Sequence, residues 1–324
     1  MTGRVIMLAS SELGRRCCEA IIASGVTVAR ILSIPRNFRI SWAKGGAVTN
    51  VQYADLEGFA DRNGIPFAYV TSGAADEYRR ALGGVNADLI VVAGWYYFVP
   101  DAIRATARLG AIGVHASLLP KYRGGAPLVW AIINGERSAG VSVFHLASGV
   151  DDGDLIAQSA FEIAETDDIS TVLERATERS IALVRDSVPA VLAGTAPRIP
   201  QNQLDATVMP QRTPADGLIS WGTLTSGQAY DWIRAQTMPY PGAFTFADAT
   251  RVTVWSARHA TAGGASRSAG TVEIGAGVTV WCADGPLEIV DVGLADEPRM
   301  SAAELARRGV LRPGMRLGSG ASDR

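Results

Sequence analysis

Lysine is nearly absent: of 30 basic residues only Lys44 and Lys121 are lysines, and the others are arginines. Acidic residues number 32, so the formal net charge is -2, and there is no surplus of positive charge to neutralise a phosphate backbone. Cysteine is equally scarce. The three thiols are Cys17, Cys18 and Cys282, two of them adjacent, and no CxxC or Cys/His ligand spacing occurs. That pattern excludes a disulfide framework and a zinc site, and no metal is expected. No basic region followed by an apolar run opens the chain, and no uninterrupted apolar stretch reaches the roughly 20 residues of a membrane span. The expectation is a cytoplasmic protein with reduced thiols and no membrane partner. A glycine-rich phosphate loop is missing too: the first apolar run continues into LASSELG, without GxGxxG.

What is present suits a globular protein of two domains. Hydrophobic residues are 48% and charged residues 19% of 324. Strand and helix signals alternate through the first half. Arg4–Ala9 reads as a strand, Ser10-Ser11-Glu12 opens a helix that Gly25 stops, and Val26–Ile34 reads as a second strand. Asn37–Asn50 shows no period and reads as loop. Val51–Asn63 and Ala74–Leu82 read as helices around a short strand at Phe67–Val70. Asp88–Ala93, continuously apolar, is a central strand of a sheet covered on both faces. A helix follows over Ile169–Leu192, with Thr171 and Glu174 spaced as a capping box. Gly194–Gln203 is turn-rich and aperiodic. Beyond a short helix at Gln228–Ala235 come five short β-like runs, from Ala243 to Val292. The order predicts a doubly wound, mostly parallel α/β domain over residues 1–193, a linker at 194–204, and a small β-barrel-like (OB-like) domain over 205–318. The final residues, GSGASDR, read as a frayed tail.

Histidine is rare, and its placement is informative. His115 ends the short apolar run Ala111–Val114, directly before a turn and the Arg123-Gly124-Gly125 loop; His145 and His259 are the others. In open α/β sheets ligands bind past the carboxyl ends of strands. Val141–Leu146 alternates as a strand and leads to the acidic loop Asp151-Asp152-Gly153-Asp154. If the two strands are neighbours, an imidazole and a carboxylate converge at one sheet edge. Acyl transfer to an amine needs a proton acceptor and a stabilised oxyanion, and a carboxylate orients an imidazole for the first task. From the residues alone, a catalytic pair and a structural histidine beside an acidic turn are both open.

The stretch Gly110–Gln158 carries HASLLP, Tyr122-Arg123-Gly124, AIINGE, the GVS strand and GVDDGD in order. It resembles the folate-dependent formyltransferase family, which includes methionyl-tRNA formyltransferase and, most similar here, the sugar N-formyltransferases. QRTPADGLISW at Gln211–Trp221 and YPGAFTF at Tyr240–Phe246 resemble the opening of that family's C-terminal domain, so the resemblance runs through nearly the whole chain. It implies 10-formyltetrahydrofolate as cofactor and an Asn-His-Asp triad. His115 and Asp151 match the last two members, Ser117 is implied to orient the site, and the Asn position holds Gly113. An amide donor to the formyl oxygen is thus missing, a change worth about 2.7–4 kcal/mol at such a site. Three explanations stay open. A backbone N–H, a water or protonated His115 replaces the donor, which is the favoured one; the site serves another one-carbon unit or a nucleophile that needs the space; or the protein binds folate with weak transfer.

The resemblance also implies a pterin site. One wall is the loop after the central strand, with Tyr97, Phe98 and Val99; the other is the loop before the aspartate, with Leu146, Ala147, Ser148, Val150 and Asp151. Tyr122, Arg123 and Lys121 are the candidate contacts to a phosphate or carboxylate of the acceptor. The 35–50 region has Arg36, Arg39, Trp42 and Lys44 but no lysine-rich loop, and the chain is slightly acidic. Both features favour a small-molecule amine, a nucleotide-linked amino sugar or an amino-acid-derived metabolite, over tRNA. The alternatives are a methionyl-tRNA formyltransferase and a folate-binding protein. A homodimer is compatible with all three.

Overall fold

The computed structural model describes residues 3–40, 46–260, 266–295 and 297–318. The chain divides into two compact units. The first comprises Met1–Pro127, Ser138–Glu162 and Glu174–Pro210; the second comprises Leu128–Arg137, Ile163–Leu173 and Gln211–Arg324.

The elements run β1 (Arg4–Ala9), α1 (Glu12–Ala23), β2 (Thr27–Ser33), β3 (Asn37–Arg39), β4 (Ala47–Thr49), α2 (Leu56–Arg62), β5 (Phe67–Tyr69), α3 (Ala75–Leu82) and β6 (Leu89–Ala93). Then come α4 (Asp101–Arg104), β7 (Ala111–His115), β8 (Arg123–Gly124), α5 (Pro127–Ile133), β9 (Ser138–His145), β10 (Leu155–Glu162), α6 (Ile169–Ala193) and β11 (Val208–Met209). Seven strands form the sheet of the first unit, in the order β10-β9-β7-β6-β1-β2-β5. β1, β2, β5, β6 and β7 are parallel, while β9 and β10 are antiparallel additions at one edge. Strand alternation explains why this sheet must be covered twice. Val5, Met7 and Val91 pack with Cys17 and Ile21 of α1 and with Val184 and Val188. Ile6, Leu8, Ile90 and Val92 pack on the opposite side with Tyr78 and Ile103. The order reverses between β1 and β6, where the carboxyl ends of a doubly wound sheet open a crevice.

In the second unit α7 (Ser226–Arg234) begins with a capping box in which Thr225 and Gln228 satisfy each other's backbone N–H. β12 (Ala243–Ala247), β13 (Thr250–His259), β14 (Val272–Ile274), β15 (Val278–Trp281), β16 (Pro286–Gly293) and β17 (Met300–Ser301) form a curled antiparallel half-barrel, and α8 (Ala302–Arg307) follows. Register shifts in β13 between Val254 and Ala257 bend the sheet around Val252, Val254, Val280 and Ile289.

Four expectations about elements change. Asn37–Asn50 is not all loop: β3 and β4 pair as a hairpin with Asn37 opposite Thr49, too short to show a period, and Phe38 packs on Tyr96 at 4.8 Å. Trp42 and Lys44 lie outside the described residues, as does the tail beyond Gly318. The helix expected from Val51 starts at Leu56, because the Asp55 carboxylate caps it by accepting the Gly58 N–H at 2.9 Å. At α6 the cap is Asp168, accepting the Thr171 N–H at 3.0 Å; Glu174 instead pairs with Arg16 at 2.7 Å. The segment 194–204, read as a linker, belongs to the first unit, where Ile199 exchanges backbone hydrogen bonds with Leu155.

Candidate active site

β7 delivers His115 to the carboxyl end of the parallel sheet, as its apolar run requires. The imidazole is tightly enclosed, with its side chain 11% exposed. Nε2 lies 2.7 Å from the Tyr122 carbonyl and Nδ1 lies 3.5 Å from Asp151 Oδ2. A carbonyl only accepts, so Nε2 carries the proton and Nδ1 faces the carboxylate. A second proton on the ring would complete the ion pair with Asp151. The carboxylate is held from its other side as well: the Gly124 N–H donates to Oδ2 at 2.9 Å.

β9 is the neighbour of β7, but it runs the other way. His145 sits opposite Ile112 and Ser142 opposite His115, so β9 ends about three residues, roughly 10 Å, from the end that carries His115. The strand therefore does not bring Asp151 to the site. The loop 146–154 doubles back to do so, and Asp151 takes a left-handed φ of 49°. Such a φ costs an aspartate on the order of 1–2 kcal/mol, so surrounding contacts must hold it.

Those contacts come from residues the sequence reading missed. Gln201, 7% exposed, donates from Nε2 to the carbonyls of Asp151 at 2.8 Å and Gly153 at 2.7 Å. Its Oε1 accepts from Arg123 Nε at 3.1 Å and Nη2 at 2.6 Å, while Gln203 Oε1 accepts from Arg123 Nη1 at 2.9 Å. Thr207 ties down the same turn, its Oγ1 accepting the Tyr122 N–H at 2.8 Å and its carbonyl the Arg123 N–H at 2.9 Å. β8 and β11 complete the attachment as a two-residue parallel ladder. An aperiodic run of prolines and amides gives no hint of this, since its role depends wholly on partners some 50 and 80 residues away.

Arg123 was expected to contact the acceptor. It is 6% exposed and its guanidinium is engaged by the two glutamines. Lys121 remains exposed and Tyr122 half-buried. Tyr122, at φ 57°, turns its carbonyl onto His115. The Ser117 hydroxyl is buried and donates to the Lys121 carbonyl at 2.6 Å, closing the turn between His115 and Tyr122. The Ser142 hydroxyl in turn donates to the Ser117 carbonyl at 2.6 Å.

Gly113 shares the face of β7 that bears His115. A Cβ there would lie 2.8 Å from Leu146 Cδ2 and 3.0 Å from Phe144 Cε1. Phe144, Leu119 and Leu155 form a small buried apolar cluster with Leu146 against it. The volume a larger residue 113 would use is therefore filled by hydrocarbon.

Along the proposed folate walls, the Tyr97 hydroxyl shares its one proton between the carbonyls of Thr71 at 2.8 Å and Arg39 at 3.0 Å. Val99 is core, whereas Phe98 is 56% exposed. On the other loop Val150 is 55% exposed, Ser148 is exposed, and Ala147 is half-buried. The Leu146 carbonyl accepts from Arg104 Nη1 at 2.6 Å. Asp152 Oδ1 is buried and has no hydrogen-bond partner.

Two family models match: formyl transferase over residues 52–186, and the formyl transferase C-terminal domain over residues 212–309. The chain belongs to the formyl transferase family. The methionyl-tRNA formyltransferase of Desulforamulus reducens is 29% identical over 97% of this chain and 98% of its own. Among solved structures, the N-formyltransferase from Helicobacter canadensis in complex with folinic acid and dTDP-3-aminofucose aligns with a TM-score of 0.62 at 16% identity, covering 89% of this chain and 98% of that one. HypX from Aquifex aeolicus in complex with tetrahydrofolic acid aligns with a TM-score of 0.63 at 14% identity, covering all of this chain and 50% of that one. This formyl transferase chain thus spans about half the length of HypX. At such identities the structural likenesses establish the shared fold. Among the described residues no cluster of potential metal ligands occurs, and no helix is long and apolar enough to cross a membrane.

Proposed function

We propose that this chain transfers the formyl group of 10-formyltetrahydrofolate to the amine of a small molecule, a nucleotide-linked amino sugar or an amino-acid-derived metabolite, with His115 and Asp151 as the reacting pair. The observation that carries the reading is the enclosed imidazole held between two acceptors at the end of β7. Folate-bound relatives of the same fold, one of them also holding an amino sugar, support it. The residues present fit a folate: Phe98 and Val150 are large, apolar and exposed, and the buried Asp152 Oδ1 is an acceptor awaiting a donor such as a heterocyclic N–H.

The folate, when bound, supplies an activated formyl carbon. An amine reaching His115 Nδ1 meets Asp151 Oδ2, 3.5 Å away, as a second acceptor, so a nucleophile with at least two N–H bonds is matched there. With Nε2–H held on the Tyr122 carbonyl, the Nδ1 lone pair is free to take the amine's proton. Asp151 then stabilises the imidazolium. Gly113, at the family's Asn position, offers no side-chain donor to the oxyanion, so a backbone N–H or the protonated His115 takes that part.

With Arg123 committed internally, Lys121 is the remaining cation of the three nominated acceptor contacts. Mass spectrometry of an amine panel incubated with enzyme and 10-formyltetrahydrofolate tests the reading, with initiator methionyl-tRNA as one arm. A +28 Da product on an amino sugar or amino-acid derivative is expected. Tight binding and formylation of tRNA at physiological salt would replace the assignment with a tRNA formyltransferase. No thermal or calorimetric response to 5-formyltetrahydrofolate would remove the folate from it.

A further inference from the structure

We infer that Gln201 is a positioning residue for this reaction, acting with buried Arg123 as a clamp that sets both partners of the His115 ring. The inference rests on the reading of His115 and Asp151 as the reacting pair.

Three facts carry it. The strand before Asp151 ends at the wrong end of β7, so something other than sheet register must place the carboxylate. Asp151 adopts a left-handed φ of 49°, a conformation that persists only when its surroundings impose it. Gln201 supplies that constraint directly, its Nε2 bonding the Asp151 and Gly153 carbonyls on either side of Asp152. At its other end the amide oxygen grips the guanidinium of Arg123, whose backbone lies between Tyr122 and Gly124. Tyr122 presents the carbonyl to Nε2, and Gly124 presents the N–H to Asp151 Oδ2. One amide thus ties together the segment that faces Nε2 and the segment that faces Nδ1. Because Gln201 and Arg123 are both buried, the network is shielded from water that would otherwise compete for each bond.

The test uses Gln201→Met, which keeps length and volume but offers no polar atom, and Gln201→Glu, which keeps the acceptor for Arg123 but loses the N–H for the loop. Both should lower kcat for tetrahydrofolate release from 10-formyltetrahydrofolate, in the presence of the accepted amine, by about 100-fold, the scale of an ångström of misplacement. KM for the folate should stay within about twofold. The Glu variant should hold its Tm nearer to wild type, because its pair with Arg123 survives. An independent readout needs no turnover. The chain has three histidines, so long-range 1H–15N spectra can follow the His115 ring, with exposed His259 as internal reference. Wild type should show one dominant Nε2–H tautomer and the variants a mixture.

Unchanged kcat and tautomer with a lowered Tm alone would reduce Gln201 to a structural residue and overturn the proposal. If wild type releases no tetrahydrofolate with any amine while the variants still mix the tautomers, the functional reading fails and the clamp stands. Should neither variant fold, Gln203→Leu, which removes the exposed partner of Arg123 Nη1 and a long amide bond to the Gln201 carbonyl, should give the same mixing at smaller amplitude. A single tautomer in that variant would sink the proposal.

Discussion

Substituting Gly113→Asn tests whether the amide that the family resemblance implies at this position can be introduced. The geometry argues that it cannot. The new Cβ would stand 2.8 Å from Leu146 Cδ2 and 3.0 Å from Phe144 Cε1, where carbon atoms normally keep about 3.5–4.0 Å. Leu146 is half-buried and can turn, but Phe144 is 2% exposed and packed against Leu119 and Leu155. Overpacking of this kind costs about 1–3 kcal/mol. For a unit of this size that is a Tm fall of about 2–4 °C per kcal/mol, hence roughly 4–8 °C at the middle of the range. Gly113→Asn should therefore be destabilised and no faster than wild type. The double variant Gly113→Asn/Leu146→Ala opens the slot, and contacting residues of this kind couple by about 0.5–3 kcal/mol. It should be more stable than the two single changes added together would predict. If the opened slot then aims the amide at the formyl oxygen, turnover should rise towards the 2.7–4 kcal/mol such a donor is worth, about 100- to 1000-fold. Differential scanning fluorimetry and initial rates on the accepted amine read both effects. A Gly113→Asn protein with wild-type Tm and faster turnover would refute the reasoning, since it would show that Leu146 and Phe144 do not close the slot.

Further outcomes follow from the same geometry. His115→Ala and Asp151→Asn should each lower kcat by about 100- to 10,000-fold while calorimetric binding of 5-formyltetrahydrofolate stays near wild type, because the work proposed for both is in proton transfer. Equal losses in folate affinity would contradict this. Burial and Arg198 lower the pKa of His145 from its usual 6.5, against a smaller opposing effect of Asp154. The unfolded chain then binds the extra proton first, so stability falls as pH drops below about 6.5 and levels off once the folded form protonates. Urea unfolding of His145→Phe should show a flatter profile below that pH, and an unchanged slope would contradict the assignment. Burial also pushes the thiols of Cys17, Cys18 and Cys282 up to about 12, so native protein should resist a maleimide reagent and denatured protein should take up three equivalents. Rapid labelling of two thiols in folded protein would show that the helix carrying Cys17 and Cys18 opens readily.

Local signals were enough to read much of the architecture. Unbroken apolar runs such as Leu89–Ala93 suit central strands covered on both faces, and Ser11 before Glu12 suits a helix opening, as both prove to be. His115 was legible because it is one of three histidines and ends such a strand. The ends of elements were less legible: Asp55 and Asp168 override the apolar pattern by capping, and three-residue strands such as β3 and β4 have no period to detect. The mostly parallel sheet was legible, but the direction of β9 was not. That β9 runs antiparallel to β7 leaves Asp151 to be placed by a loop. The partners of that loop are fixed in space rather than in sequence. Arg123 looked like a ligand for an anion until its guanidinium met Gln201 and Gln203, and Gly113 looked like an empty place until Phe144 and Leu146 filled it. A sequence states which groups can donate, accept or pack. Which of them are already satisfied is decided only when the chain closes on itself.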